Sequence, residues 1–145
     1  MDERSSGILL HITALPGPEG IGTLGNDAFR FVDFLERTGQ KYWQILPLGP
    51  VGCGYSPYQC FSAFAGNPLL IDVALLIKDS LLTLADLKRR PRFSNRKVAF
   101  KKVETRKYPL LKKAFDNYEA KKPEKFENDY RQFLEEHNWW LHDYA

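Results

Sequence analysis

The sequence contains few of the residues that build metal sites, disulfide scaffolds and membrane spans. Its 145 residues include two cysteines, Cys53 and Cys60, and three histidines. Two cysteines in one loop complete neither a zinc site nor a secreted disulfide scaffold, so we expect free thiols and no metal. No apolar run approaches the roughly 20 residues of a membrane-spanning helix, and the charged start MDERSSG has no signal-peptide core. The expected protein is cytoplasmic and has no membrane partner.

A phosphate-binding loop and the motifs of covalent catalysis are also missing. Four glycines between residues 13 and 25 have the wrong spacing for nucleotide binding, and no Lys-Ser/Thr pair follows them. The sequence has no nucleophile elbow, and no pair of acidic loop residues stands out as the two carboxylates of glycoside chemistry. We therefore expect no cofactor, and we name no catalytic residue in this chain.

The composition does support a folded core, since 43% of the residues are hydrophobic and 14% are aromatic. The apolar run Gly7–Ile12 predicts a first strand that is buried on both faces. A helix is predicted next, with Asn26 or Asp27 as its N-cap and Gly39 after its end, because apolar residues recur at helical spacing: Ala28, Phe31, Val32 and Leu35. Tyr42–Leu46 predicts a second strand. Strand, helix and strand form a βαβ unit, which implies a parallel sheet.

Two long loops follow the two predicted strands, Thr13–Gly25 and Pro47–Gly66. Segments that follow parallel strands emerge at the carboxyl edge of the sheet, where ligand sites lie, so we expect the two loops to face each other. The chain carries no charge from Tyr42 to Ile71 and is rich there in aromatic and short polar side chains. Such side chains suit a sugar better than a phosphate. His11, near the end of the first strand, points either into the core or into this site.

The rest of the chain is predicted to be mostly helical, after a short extended segment at Leu69–Val73. Thr83 and Asp86 resemble the ends of a capping box that opens a short helix before Pro91. A long helix is predicted over Asn95–Tyr118. Its candidate core residues are Val98, Val103, Leu110, Leu111 and Phe115.

Two prolines bear on the predicted helices. Pro109 should end or kink the long helix near Tyr108. Pro123 suits the first position of a last helix with a broad apolar stripe: Phe126, Tyr130, Phe133, Leu134, Trp140, Leu141 and Tyr144. We expect this helix to continue past Ala145, and we divide the chain into residues 1–78, with the strands and the sugar-binding loop, and residues 79–145, a helical and basic subdomain.

The segment Lys88–Lys113 holds twelve basic residues and one acidic residue, Glu104. A run of this kind, with aromatic residues between the charges, is one form of a nucleic-acid-binding face. Here the basic residues are spread around the predicted helix and no nucleic-acid-binding motif accompanies them. We therefore favour a solvated helix face and expect no nucleic-acid partner.

Four sequence blocks resemble the amylomaltase, or disproportionating-enzyme, family of 4-α-glucanotransferases in order and spacing: GILLHITALPGPEGIGTLG, YWQILPLGP, SPYQ and FSAFAGNPLLID. The resemblance covers the whole chain as the N-terminal part of that family. It implies an α/β fold, in which this chain forms the N-terminal βαβ part of an incomplete (β/α)₈ TIM-type barrel plus a mostly helical inserted subdomain.

The resemblance also implies a function. Enzymes of the family transfer α-1,4-glucan segments between donor and acceptor glucans by a retaining mechanism, and their catalytic carboxylates lie on later strands. The expected partners are malto-oligosaccharides and other α-1,4-glucans, and the chain needs the rest of the enzyme to complete the barrel. Two alternatives stay open: a non-catalytic carbohydrate-binding module and a basic nucleic-acid-binding domain.

Carried over by position, Tyr58 matches the family's aromatic ring that stacks under the donor-side sugar, and Ser56 matches a hydroxyl that hydrogen-bonds the glucan. Gln59, Asn67 and His11 complete the expected substrate-binding residues. The loop departs from the family before SPYQ, where GCGY stands in place of the common Gly-Tyr-Gly-Asp. This departure affects the outer glucan contacts rather than the SPYQ motif.

Overall fold

A computed structural model describes residues 4–87, 92–94 and 96–145. Two strands, β1 and β2, pair in parallel, with Gly7 opposite Tyr42 and Leu9 opposite Gln44. The elements are β1 (Gly7–Leu9), α1 (Asn26–Arg37), β2 (Tyr42–Gln44), α2 (Val73–Lys78), α3 (Phe100–Lys121) and α4 (Glu124–Tyr144), with 3-10 turns at Ile12–Ala14, Pro68–Leu70 and Leu84–Leu87. The predicted βαβ unit with a parallel sheet is confirmed. The predictions that rest on Pro91 and Asn95 lie outside the described residues.

Both strands are shorter than the apolar runs predict. β1 ends at Leu9 because the chain turns into the 3-10 turn at Ile12–Ala14, which the His11 side chain caps by accepting from the Thr13 N–H. The expected burial on both faces is wrong for this chain, since the Leu9 side chain is 58% exposed. The physical reason is that β1 pairs with β2 in the described sheet and core side chains pack against one face of this pair. The other face of the strands therefore stays exposed.

Helix α1 is formed as the apolar spacing predicts, but its N-cap is Gly25, one residue before Asn26 and two before Asp27, the predicted positions. A side chain would not fit at Gly25, because a Cβ there would lie 1.8 Å from Asp72 Oδ2. Beyond the helix end, Gly39 has φ of +69°, the left-handed conformation expected of a residue after a helix. The Trp43 ring of β2 meets Phe31 of α1 edge to face at 4.8 Å, and this contact seats the helix on the sheet.

The expected extended segment at Leu69–Val73 is wrong, because two polar caps turn the chain into helix. Asn67 Oδ1 accepts from the Leu69 N–H at 2.9 Å, which starts the 3-10 turn. Asp72 Oδ1 then accepts from the Ala74 and Leu75 N–H groups at 2.8 and 3.2 Å, which starts α2. Capping by Asn and Asp outweighs the weak strand propensity of such a short apolar run.

Pro109 was predicted to end or kink the long helix near Tyr108, and an end there is wrong, since α3 continues through Pro109 to Lys121. A proline inside a helix removes one hydrogen bond and costs about 3 kcal/mol. Packing on both sides of the proline offsets this cost, because Val103 and Leu110 are 1% and 7% exposed. Phe115, predicted in the core, is 53% exposed, and Ala114 is buried in its place.

Replacing Pro109 by alanine is expected to raise the free energy of unfolding by about 1 kcal/mol, because alanine restores the N–H donor to an exposed helix position. Urea denaturation followed by circular dichroism measures the change. Pro109→Gly is the matched control, since glycine restores the donor but has low helix propensity, and it should give a gain close to zero. A Pro109→Ala protein less stable than the unaltered chain would contradict the prediction.

Helix α4 follows α3 in the chain and has no buried residue. Pro123 is its N-cap rather than its first residue. Tyr118 of α3 holds it by donating a hydrogen bond to Glu127 at 2.8 Å, which raises the pKa of Tyr118 to about 12. Because none of its residues is buried, the predicted apolar stripe of α4 is a partly exposed face in this chain. Within the described residues no helix is long and apolar enough to cross a membrane.

The predicted capping box at Thr83 and Asp86 is confirmed in its acidic half. Asp86 Oδ2 accepts from both the N–H and the hydroxyl of Thr83, each at 2.8 Å. The Lys113 ammonium donates to the same carboxylate and, with Thr83, lowers the pKa of Asp86 to about 2. This carboxylate therefore ties the Leu84–Leu87 turn to α3.

Candidate functional site

The loop between β2 and the Pro68–Leu70 turn is ordered by its own backbone. An antiparallel bridge joins Val51 to Cys60, and the Phe61 N–H donates to the Pro50 carbonyl at 3.0 Å. Gly49 lets the two arms approach, because a Cβ there would lie 2.7 Å from the Ser62 carbonyl oxygen. The loop, residues 45–67, is therefore a hairpin-like arm whose tip carries residues 53–59.

The SPYQ motif forms a turn at this tip. The Gln59 N–H donates to the Ser56 carbonyl at 3.0 Å, and the Tyr58 N–H donates to the Ser56 hydroxyl at 3.4 Å. The Cys60 thiol closes the turn by donating to the Pro57 carbonyl at 2.8 Å. As a result the Tyr58 ring is 74% exposed, which places it outside the core.

His11 lies at the base of the arm and is held in one orientation. Its Nδ1 accepts from the Thr13 N–H at 3.3 Å and lies 2.7 Å from the Thr13 hydroxyl. Nε2 lies within hydrogen-bond distance, 3.3 Å, of the Pro47 carbonyl oxygen. The histidine therefore joins the end of β1 to the start of the loop.

A cavity of about 140 Å³ separates the end of β1 from the arm and is lined by both His11 and Asn67. Asn67 is 8% exposed, and its side-chain oxygen caps the Pro68–Leu70 turn. Thr13 lines the same cavity together with the arm residues Val51 and Pro57, so the two loops meet here as expected. Elsewhere residues 15–25 contact the segment 69–73 and α3 instead.

The structure thus divides the five predicted site residues into two groups. His11 and Asn67 share the cavity at the base of the arm, where both have structural hydrogen bonds. Tyr58 and Gln59 are exposed at the tip, with Ser56 half-buried beside them. Contact of any of the five with a sugar remains a prediction.

The contacts between Tyr55 and α3 are a feature of the site that was not predicted from the sequence. Its ring stacks on Phe100 of α3, with 4.6 Å between the ring centroids and 11° between the ring planes. Its hydroxyl donates to Glu104 Oε2 at 2.8 Å, and this hydrogen bond raises the pKa of Tyr55. The sequence signal for this pair of contacts is the four-residue spacing of Phe100 and Glu104, which places both side chains on one face of a helix.

Part of the basic segment is internal to the fold. Lys107 is 2% exposed; its ammonium pairs with Glu19 Oε2 at 2.7 Å and donates to the Leu69 carbonyl at 2.8 Å. Burial lowers the pKa of Lys107, although the Glu19 carboxylate opposes this shift. Arg106 donates to the Asp86 carbonyl at 2.9 Å. These two cations therefore hold α3 to neighbouring segments of the protein.

Among the described residues, no group of three His, Cys, Asp or Glu side chains is placed to hold a metal ion. Cys53 and Cys60 are both free thiols. His137 accepts a hydrogen bond from the Trp140 indole at 3.1 Å. The geometry of the site is therefore that of an exposed ring on an ordered, uncharged arm.

The chain is similar to known proteins over almost its full length. Residues 10–145 match the sequence profile of glycoside hydrolase family 77, described as 4-alpha-glucanotransferase. A 4-alpha-glucanotransferase of Thermus thermophilus is 46% identical over 142 residues, which are 98% of this chain and 28% of the relative. One from Streptococcus pneumoniae is 47% identical over 140 residues, with 93% and 28% covered.

A solved structure is similar as well. The amylomaltase from Streptococcus agalactiae in complex with acarbose matches with a TM-score of 0.89 and 42% identity. The match covers 99% of this chain and 28% of that one. The chain therefore spans little more than a quarter of the length of these relatives.

Proposed function

Because the chain belongs to glycoside hydrolase family 77, the 4-alpha-glucanotransferases, we propose that it forms the donor-side glucan-binding part of an enzyme that transfers α-1,4-glucan segments. The observation that carries this proposal is the exposed Tyr58 ring at the tip of an ordered arm without charge. A pyranose presents a C–H face to such a ring and hydroxyl groups to short polar side chains nearby. The acarbose in the related amylomaltase structure supports a ligand of this class.

In this proposal β1, α1 and β2 are the first βαβ unit of a (β/α)₈ barrel, and residues 79–145 belong to a helical insertion. A barrel of this type takes roughly 200 residues or more, so 145 residues cannot close one. The arm follows β2 and would stand at the carboxyl edge of the barrel, where the active sites of such barrels lie. The catalytic carboxylates belong to strands outside these residues.

The reaction proposed for the whole enzyme is retaining transfer. One carboxylate attacks the anomeric carbon while a carboxylic acid protonates the departing glycosidic oxygen, and a glycosyl-enzyme ester forms. A hydroxyl of a second sugar then attacks the same carbon and gives its proton to the residue that served as acid. Tyr58 and Ser56 contribute by holding the donor sugar in place, and the arm helps to keep water from the ester.

A chimeric enzyme tests this proposal. In the Thermus thermophilus relative, the segment that matches this chain is replaced by residues 4–145, and the product is assayed for glucose and longer glucans released from maltotriose. We expect disproportionation within about tenfold of the parent enzyme, because an interface at 46% identity retains most of its packing. A folded chimera that binds maltotriose without transferring glucan would favour the carbohydrate-binding module. A folded chimera that does neither would overturn the proposal.

A further inference from the structure

Two side chains of α3, one helical turn apart, contact Tyr55: one packs on the face of its ring and the other binds its hydroxyl. Phe100 stacks on the ring face at 4.6 Å, and Glu104 accepts from the hydroxyl at 2.8 Å. These contacts join the tip of the arm to a helix 45 residues further along the chain. The ring is half-buried and forms one wall of the cavity that His11 and Asn67 line.

The backbone at Tyr55 adopts a conformation that its side chain disfavours. Its φ is +56°, and Gly54 before it has φ of +89°. A bulky residue in the left-handed region is an outlier that persists where surrounding contacts determine it. The Tyr55 N–H also donates to the Gly52 carbonyl at 3.2 Å, so the chain reverses at this residue. The contacts with α3 therefore select the turn that sends the chain into Ser56.

We propose that Tyr55 is a positioning residue, which fixes the tip of the arm against α3 and thereby sets where the Tyr58 ring meets a glucan. Two residues separate Tyr55 from Tyr58, and one of them, Pro57, has a restricted φ. The Gln59-to-Ser56 hydrogen bond makes this segment a single turn. Displacement of Tyr55 therefore displaces Tyr58. This inference rests on the proposed function as far as the glucan is concerned.

The test uses three variants, each made in the Thermus thermophilus chimera, because this chain spans little more than a quarter of that relative. Tyr55→Asn removes both contacts with α3 but tolerates the left-handed backbone, so folding is not the limiting factor. Tyr55→Phe retains the stacked ring and loses the hydrogen bond. Tyr118→Phe is the matched control, because it removes a tyrosine-to-glutamate hydrogen bond of the same length, 2.8 Å, between α3 and α4.

Amide hydrogen exchange of the peptide that spans residues 56–61, followed by mass spectrometry, measures how well the arm is ordered. We expect exchange to rise about tenfold in Tyr55→Asn, less in Tyr55→Phe, and not at all in Tyr118→Phe. Exchange that is unchanged in Tyr55→Asn, or that rises equally in the control, would show that the contacts of Tyr55 with α3 do not hold the arm, and would overturn the proposal.

Titration of the same chimeric variants with acarbose, the ligand of the related amylomaltase structure, measures the affinity for a glucan-like ligand. A partly displaced tip lowers the fraction of molecules able to bind, so the Kd of Tyr55→Asn should rise about fivefold while that of Tyr118→Phe stays constant. Looser exchange with an unchanged Kd would overturn the positioning role and leave the proposed function intact. If the chimera with unaltered Tyr55 shows no binding, the proposed function and the glucan part of the inference fail, and the exchange data still test whether α3 holds Tyr55.

Discussion

Replacing Tyr58 by alanine is expected to lower kcat/KM for maltotriose disproportionation by the chimeric enzyme about 30- to 150-fold. A pyranose face that covers about 100 Å² of the ring gains about 2–3 kcal/mol, at the usual value per unit of apolar area and with the aromatic contact added. Alanine removes nearly all of this gain. If the donor sugar is held more tightly in the transition state than in the ground state, the loss falls on kcat as well as on KM.

The Tyr58 variant should keep its stability, because the ring is 74% exposed and its truncation opens no cavity. Tyr58→Phe is the matched variant: it keeps the stacking face and should retain most of the activity. Phe29→Ala removes an exposed ring on α1, 61% accessible, and serves as a control for apolar surface in general. Transfer kinetics that do not change in Tyr58→Ala would remove this residue from the site.

Replacing Lys107 by methionine is expected to lower the free energy of unfolding by about 3 kcal/mol. The change leaves the Glu19 carboxylate without its ammonium partner and the Leu69 carbonyl without its donor. The value lies at the low end for a broken buried ion pair because the Glu19 side chain is still 16% exposed. Urea denaturation followed by circular dichroism measures the loss.

Two further variants separate the ion pair from the general effect of removing a lysine. Lys112→Met is the matched control on the same helix: this lysine pairs with Asp116 but is 70% exposed, so its loss should cost less than about 0.5 kcal/mol. In the double variant Lys107→Met with Glu19→Gln, no buried charge is left, and more than half of the lost stability should return. Equal losses for the two lysines would contradict the assignment of Lys107 as the buried anchor.

The buried position of Lys107 also bears on the interpretation of the basic segment. Read as a list of charges, residues 88–113 are typical of a nucleic-acid face. The structure shows that Lys107, Arg106 and Lys113 are engaged with Glu19 and with the Asp86 region. These contacts hold α3 in place, and α3 in turn contacts Tyr55.

The features that the sequence predicted correctly are those that depend on neighbours in the chain. The spacing of Ala28 and Leu35 is sufficient for an amphipathic helix, and Gly39 is sufficient for its end. The parallel pairing of β1 and β2 follows from the helix between them. The exposed position of Tyr58 is consistent with the uncharged, turn-rich composition around it, and the family is shown by blocks that stand together in the sequence.

Only the tertiary structure decided the features that join distant segments. Pro109 stays inside α3 because Val103 and Leu110 pack on either side of it, and this packing involves other elements. Lys107 is buried because Glu19 and the Leu69 carbonyl, 38 residues away, meet its ammonium group. Tyr55 takes a left-handed backbone because α3, 49 residues away at Glu104, holds its hydroxyl. Helical spacing and turn chemistry act over a few residues, whereas the energy of these contacts appears once the chain has folded.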